Sequence, residues 1–114
     1  MATHQSLILY EWNDEEVELQ ITDPDSGSAY DLSGAVLELI LKADVDQLDT
    51  DPGTVILSTE TGEITILDAA AGTALAMINR GYLSEPGDLA WRLDVVRAGT
   101  RRTAIYGPLR VTDL

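Results

Sequence analysis

His4 is the one histidine in a chain of 114 residues, and there is no cysteine. A serine or threonine nucleophile needs a base that the fold holds in place. His4 stands in Met1-Ala2-Thr3-His4-Gln5-Ser6, ahead of the first apolar run, and reads as an exposed tail residue or an interface contact. The absence of thiols also excludes a disulfide scaffold, a thiolate zinc site and a cysteine nucleophile.

Hard oxygen ligands are plentiful by comparison. Asp44-Val45-Asp46-Gln47-Leu48-Asp49-Thr50-Asp51-Pro52-Gly53 is the densest stretch, yet it lacks the glycine and the closing glutamate that an EF-hand loop places at its sixth and twelfth positions. It reads as a solvated loop between strands. Asp23 and Asp25, in Asp23-Pro24-Asp25-Ser26-Gly27-Ser28, are residue types that an Asx turn explains without a ligand. A glycosidase pair of carboxylates would need a deep cleft, which a small sandwich seldom has. The nine glycines are dispersed, and none builds a phosphate-cradling GxGxxG or GxxxxGK. No enzyme, metal or cofactor is expected.

Charge narrows the partners. Twenty Asp and Glu against seven Lys and Arg give a formal net charge of -13, which repels phosphate backbones and anionic membranes. Arg97, Arg101 and Arg102 form the one basic cluster and flank a turn, so they meet solvent or an acidic protein surface. No apolar run is long enough to span a bilayer, and the N-terminus has no signal-peptide pattern. The expectation is a soluble protein made in the cytoplasm.

The elements that would hold these residues are strands. In Glu16-Val17-Glu18-Leu19-Gln20-Ile21-Thr22 the apolar residues alternate with polar ones, the period of a half-buried strand. Leu37, Leu39 and Leu41 repeat the pattern, as do Ile64 with Ile66, and Leu89, Trp91, Leu93 and Val95. Turn-formers separate the runs, giving strands near 5–11, 16–22, 35–43, 54–58, 63–67, 73–79, 88–97 and 102–112. Short helical turns are expected at Asp68 to Gly72 and at Asn79 to Leu83. Seven to eight short strands with no long helix between them predict an all-β, antiparallel, immunoglobulin-like β-sandwich. Residues 1–114 read as one domain, with 1–6 as a mobile or interface-ordered arm. Gly107-Pro108 places the last strand at an edge or a bulge, since proline donates nothing to a ladder.

Leu7, Ile8, Leu9 and Tyr10 are apolar on both faces of their strand. Either the sandwich buries both faces, or one face is an apolar patch that a partner subunit covers. Trp91 belongs to the core by its alternation, whereas the burial of Trp12, at a strand end, is open.

The order of these pieces carries a resemblance. An amphipathic strand, a polar turn, Asp31-Leu32-Ser33-Gly34-Ala35, an apolar strand, an acidic loop, Thr61-Gly62-Glu63-Ile64-Thr65-Ile66, Asp68-Ala69-Ala70-Ala71-Gly72, Glu85-Pro86-Gly87-Asp88 and two long final strands follow one another from Glu15 to Asp113. This order resembles the small immunoglobulin-like β-sandwich virion proteins of tailed bacteriophages, among them the N-terminal domain of the baseplate upper protein. The resemblance implies that Leu32 plugs the core while Gly34 lets the chain turn. It also implies attachment to other virion proteins in a symmetric particle. In that family a longer receptor-binding portion often follows the domain, whereas this sequence stops at Leu114, which points to a stand-alone component.

The expected function is therefore a non-catalytic tail-tip or baseplate protein, a minor tail protein, assembled as a symmetric homo-oligomer. Its contacts would run through Leu7, Ile8, Leu9, Tyr10 and Trp12 and through Asp44, Asp46, Asp49 and Asp51. A capsid decoration protein is the alternative within the virion. A carbohydrate-binding or host-adhesion module is the alternative of another class, and would use Tyr10, Trp12, Tyr30, Tyr82 and Tyr106 as a platform.

Overall fold

The structure, a computed structural model, describes residues 2–23, 25–43, 53–83 and 86–113. Among the described residues nine strands form in chain order: β1 (Thr3–His4), β2 (Leu7–Tyr10), β3 (Glu15–Gln20), β4 (Val36–Lys42), β5 (Val55–Ser58), β6 (Ile64–Asp68), β7 (Thr73–Ile78), β8 (Gly87–Arg97) and β9 (Thr100–Thr112). They make two sheets. The larger runs β1-β9-β8-β4-β5, with β2 also on β9, and the smaller runs β3-β7-β6. The all-β sandwich is as the alternation predicts.

The inward faces of the two sheets make the core. Leu37 pairs with Val95, Leu39 with Leu93 and Leu41 with Trp91 across β4 and β8, and all six are buried. A slip of one residue would turn this whole set toward solvent, so burial fixes the register. Against them lie Val17 and Leu19 of β3, Ile64 of β6, and Ala74, Ala76 and Ile78 of β7. Two alanines on the central strand leave space for the larger side chains opposite.

The turn that leads into β4 works as the resemblance implies. Leu32 is fully buried, Asp31 accepts the Ser33 amide through Oδ1, and Gly34 takes φ 71°. Leu32 also donates its amide to the Ala69 carbonyl, which ties this turn to the one before β7. That second turn, Ala69 to Gly72, is not helical. Gly72 sits so close to two backbones that a Cβ there would stand 2.5 Å from the Ile21 oxygen, so alanine propensity is overruled by packing. The turn expected near residues 79–83 is a 3-10 turn, Arg80–Leu83.

Two expectations are corrected. The N-terminal strands are not antiparallel: β1 and β2 both run parallel to β9, pairing Thr3 with Ile105 and Leu7 with Leu109. Nor does Pro108 mark an edge, because β9 is paired on both sides, with β8 and with the N-terminal strands. The missing proline donor is accommodated by the partner instead. Counting along the constant register, Gln5 and Ser6 fall opposite Gly107 and Pro108, and there the N-terminal strand is interrupted between β1 and β2.

Candidate protein interface

β2 is the place to ask about assembly, because its two faces have separate fates. Leu9 is buried and Leu7 packs on the core. Ile8 is 64% exposed and Tyr10 is also solvent-facing, beside Arg110 and Thr112 of β9. Two-sided burial within the sandwich is thereby overturned. The strand is half exposed and has an apolar outer face.

β1 and β2 also form one border of the larger sheet, with β9 on one side and no strand on the other among the described residues. An open border presents unpaired N–H and C=O groups to any other strand. Neither β1 nor β2 contains the lysine, proline or inward charge that commonly blunts such borders.

The segment ahead of β2 is held, from Thr3 to Gln5. The Gln5 amide donates to the Tyr106 carbonyl at 2.9 Å. In a regular parallel ladder its own carbonyl would accept from residue 108, where proline has no N–H. The buried Trp91 indole fills the vacancy, donating from Nε1 to the Gln5 oxygen at 3.1 Å. His4 stacks edge-on against Tyr106, with ring centroids 5.2 Å apart. These rings border an open groove of about 510 Å³, whose walls include His4, Ile40, Ala90, Trp91, Tyr106 and Pro108.

Trp12 closes the strand in an unusual way. The Asn13 amide donates to the Tyr10 carbonyl, a tight turn that puts Trp12 at φ 58°. A turn of this form ordinarily has glycine or asparagine there, because a Cβ is crowded in the left-handed region. The conformation is fixed from both sides, by the Glu11 amide on the Thr112 carbonyl and the Trp12 amide on the Leu83 carbonyl. The indole is nonetheless 57% exposed. A large apolar ring held in a strained turn and left in water is a feature that stability does not explain.

Ile8, Tyr10 and Trp12 are thus brought out to solvent along one border, whereas Leu7 and Leu9 belong to the core. Asp44, Asp46, Asp49 and Asp51 lie outside the described residues. His4, which reads from the sequence as an exposed tail residue or an interface contact, and Tyr106, which reads as part of a glycan platform, meet on this surface. The sequence signal for Tyr106 was its alternation with Ile105, which turns it away from the core. The basic cluster serves the fold itself: Arg102 binds Asp25, Arg101 bridges Glu38 and Asp94, and Arg97 donates to the Asp31 carbonyl.

No protein-family model matches the chain, and no curated protein sequence does. A solved structure does: the N-terminal domain of phage TP901-1 ORF48, at 13% identity and a TM-score of 0.55, covering 99% of this chain and 84% of that one. The chain has the fold of this phage domain. The phage resemblance read from the sequence therefore stands at the level of fold, across nearly the whole chain.

Proposed function

We propose that the chain is a non-catalytic structural component of a tailed-phage virion, a tail-tip or baseplate protein that acts by protein–protein assembly. The observation that carries this reading is the β2 border, where Ile8, Tyr10 and Trp12 stand exposed beside an unpaired strand edge. The fold shared with a phage domain supports it. Residues 1–114 act as one unit in this reading, made in the host cytoplasm and taken into the particle. Its partners are other virion proteins and further copies of itself in closed symmetry.

Light scattering across a concentration series tests the self-assembly, with Ile8→Asp as the comparison. A trimer or hexamer that Ile8→Asp dissociates is the expected result. A chain that stays monomeric at every concentration would remove the β2 border as a contact between copies. Tryptophan fluorescence on adding a panel of oligosaccharides checks the glycan-binding reading, which requires Trp12 to respond.

A further inference from the structure

The seven basic residues are unevenly placed. Lys42, Arg92, Arg97, Arg101, Arg102 and Arg110 all belong to β4, β8 or β9 of the larger sheet. Arg80 is bound to Asp14 at 2.7 Å. The smaller sheet has no basic residue in any of its strands, which read EEVELQ, ITILD and TALAMI.

The register sets its acids in columns. Glu16 pairs with Met77, Glu18 with Leu75, and Gln20 with Thr73. On the far side of β7, Thr65 pairs with Leu75 and Asp68 with Thr73, and the Met77 amide donates to the Glu63 carbonyl. A central column of Met77, Leu75 and Thr73 is therefore flanked by Glu16 and Glu18 on one side and, on the other, by Glu63, whose carboxylate also accepts from the Thr61 hydroxyl and the Ser58 amide, and by Asp68, whose carboxylate also accepts from the Ala71 amide. Met77 is 42% exposed, and Leu67, in the bulge beside Asp68, is exposed too. Strand spacing puts the two acidic columns about 10 Å apart, close to the width of a helix.

We propose that this outer face of the β3-β7-β6 sheet docks a cationic amphipathic segment of another protein, with an apolar stripe that seats on Met77 and Leu75 between two rows of Lys or Arg. Charge complementarity selects the occupant. No Lys or Arg lies in the three strands of this face, and Arg80 at its end is bound to Asp14, so the counter-charge for Glu16 and Glu18 comes from outside. A second copy would set carboxylates against carboxylates, and nucleic acid or an anionic membrane would repeat the same sign. This contact is independent of the β2 border, and salt separates the two. Screening weakens an attraction between opposite charges, whereas it eases the association of like-charged copies.

The test is an NMR titration of the isotope-labelled chain with a synthetic helical peptide that has a leucine stripe flanked by lysines. A second peptide keeps the stripe and replaces each lysine by glutamate. Expected are saturable shifts confined to β3, β6 and β7, lost at about 0.3 M salt, and no binding of the glutamate peptide. Glu16→Lys with Glu18→Lys should weaken binding by about tenfold or more, and Glu16→Gln with Glu18→Gln should weaken it less. If the lysine variant does not fold, the glutamine variant supplies the comparison. Shifts on the larger sheet, equal binding of both peptides, affinity unchanged in the variants, or self-association through this face would each overturn the proposal.

Discussion

Gly107 lies so close to Gln5 that a Cβ on it would stand 2.0 Å from the Gln5 carbonyl oxygen. That approach is what lets the Trp91 indole, across the ladder from Gly107, reach the same oxygen. Proline removes a donor, glycine removes a side chain, and tryptophan supplies the hydrogen bond. The N-terminal strand is anchored on this group of residues.

Gly107→Ala should destabilise the chain by about 1–3 kcal/mol, the ordinary cost of forcing an extra carbon into a filled site. Trp91→Phe should cost about 1–3 kcal/mol for an acceptor left without its donor, beyond the change in packing. Urea unfolding measures both. Hydrogen exchange should show the amides of β2 opening earlier than those of β4.

Asp94 offers a second test, since its polar side chain is 1% exposed. A bulge in β9 places Thr103 beside it, so its carboxylate accepts from Thr103 at 2.7 Å, Arg101 at 2.8 Å and Arg92 at 3.2 Å. Asp94→Ala should lose about 1–3 kcal/mol, because Thr103, Arg101 and Arg92 each lose a hydrogen bond to the buried carboxylate. Arg101→Ala should lose less. Its head is partly in water, and Arg92 and Thr103 still satisfy the carboxylate. Thermal unfolding of the two variants ranks them.

Trp12→Asn should raise the melting temperature of the isolated chain. Asparagine tolerates the left-handed region, and relief there is worth about 1 kcal/mol. The same substitution should weaken any assembly that uses the indole. A variant more stable alone and poorer in association would show that Trp12 is retained for contact.

The acid limb of stability should depend on identifiable carboxylates. Hydrogen bonds from Arg80 hold Asp14 below its ordinary pKa, those from Arg102 do the same for Asp25, the Ser33 amide for Asp31, and the Thr61 hydroxyl for Glu63. Such groups bind protons more weakly when folded. Their stabilisation is present above the unfolded pKa and is lost as pH falls through the folded one. Asp14→Asn should thus be less stable than the parent at neutral pH, with the difference gone by about pH 2. Glu11 is the opposite case, raised by its hydrogen bond with Asp113. Its contribution is present at low pH and is lost as pH rises through the folded value. Glu11→Gln should therefore gain stability at neutral pH and none in acid, as melting curves across pH would show.

The sequence by itself determined, β1 aside, which residues form strands and which way they face. Alternation depends only on nearest neighbours, so Leu37, Leu39, Leu41, Leu93 and Trp91 could be assigned to a core with no knowledge of their partners. The Asp31-Leu32-Ser33-Gly34 turn was legible for the same reason, because its hydrogen bonds and its left-handed glycine are local. Only the tertiary structure decided the neighbours. That β2 runs parallel to β9, that Gln5 meets Gly107 and Trp91, and that Asp94 is enclosed by cations all depend on residues far apart in the chain. The same holds for the candidate interfaces. Period 2 turns Ile8, Met77 and Glu16 outward, but only sheet assignment shows that Ile8 borders an open edge and that no basic residue shares a sheet with Glu16. Pairing across long separations is set by packing of the whole, and a single strand contains no record of it.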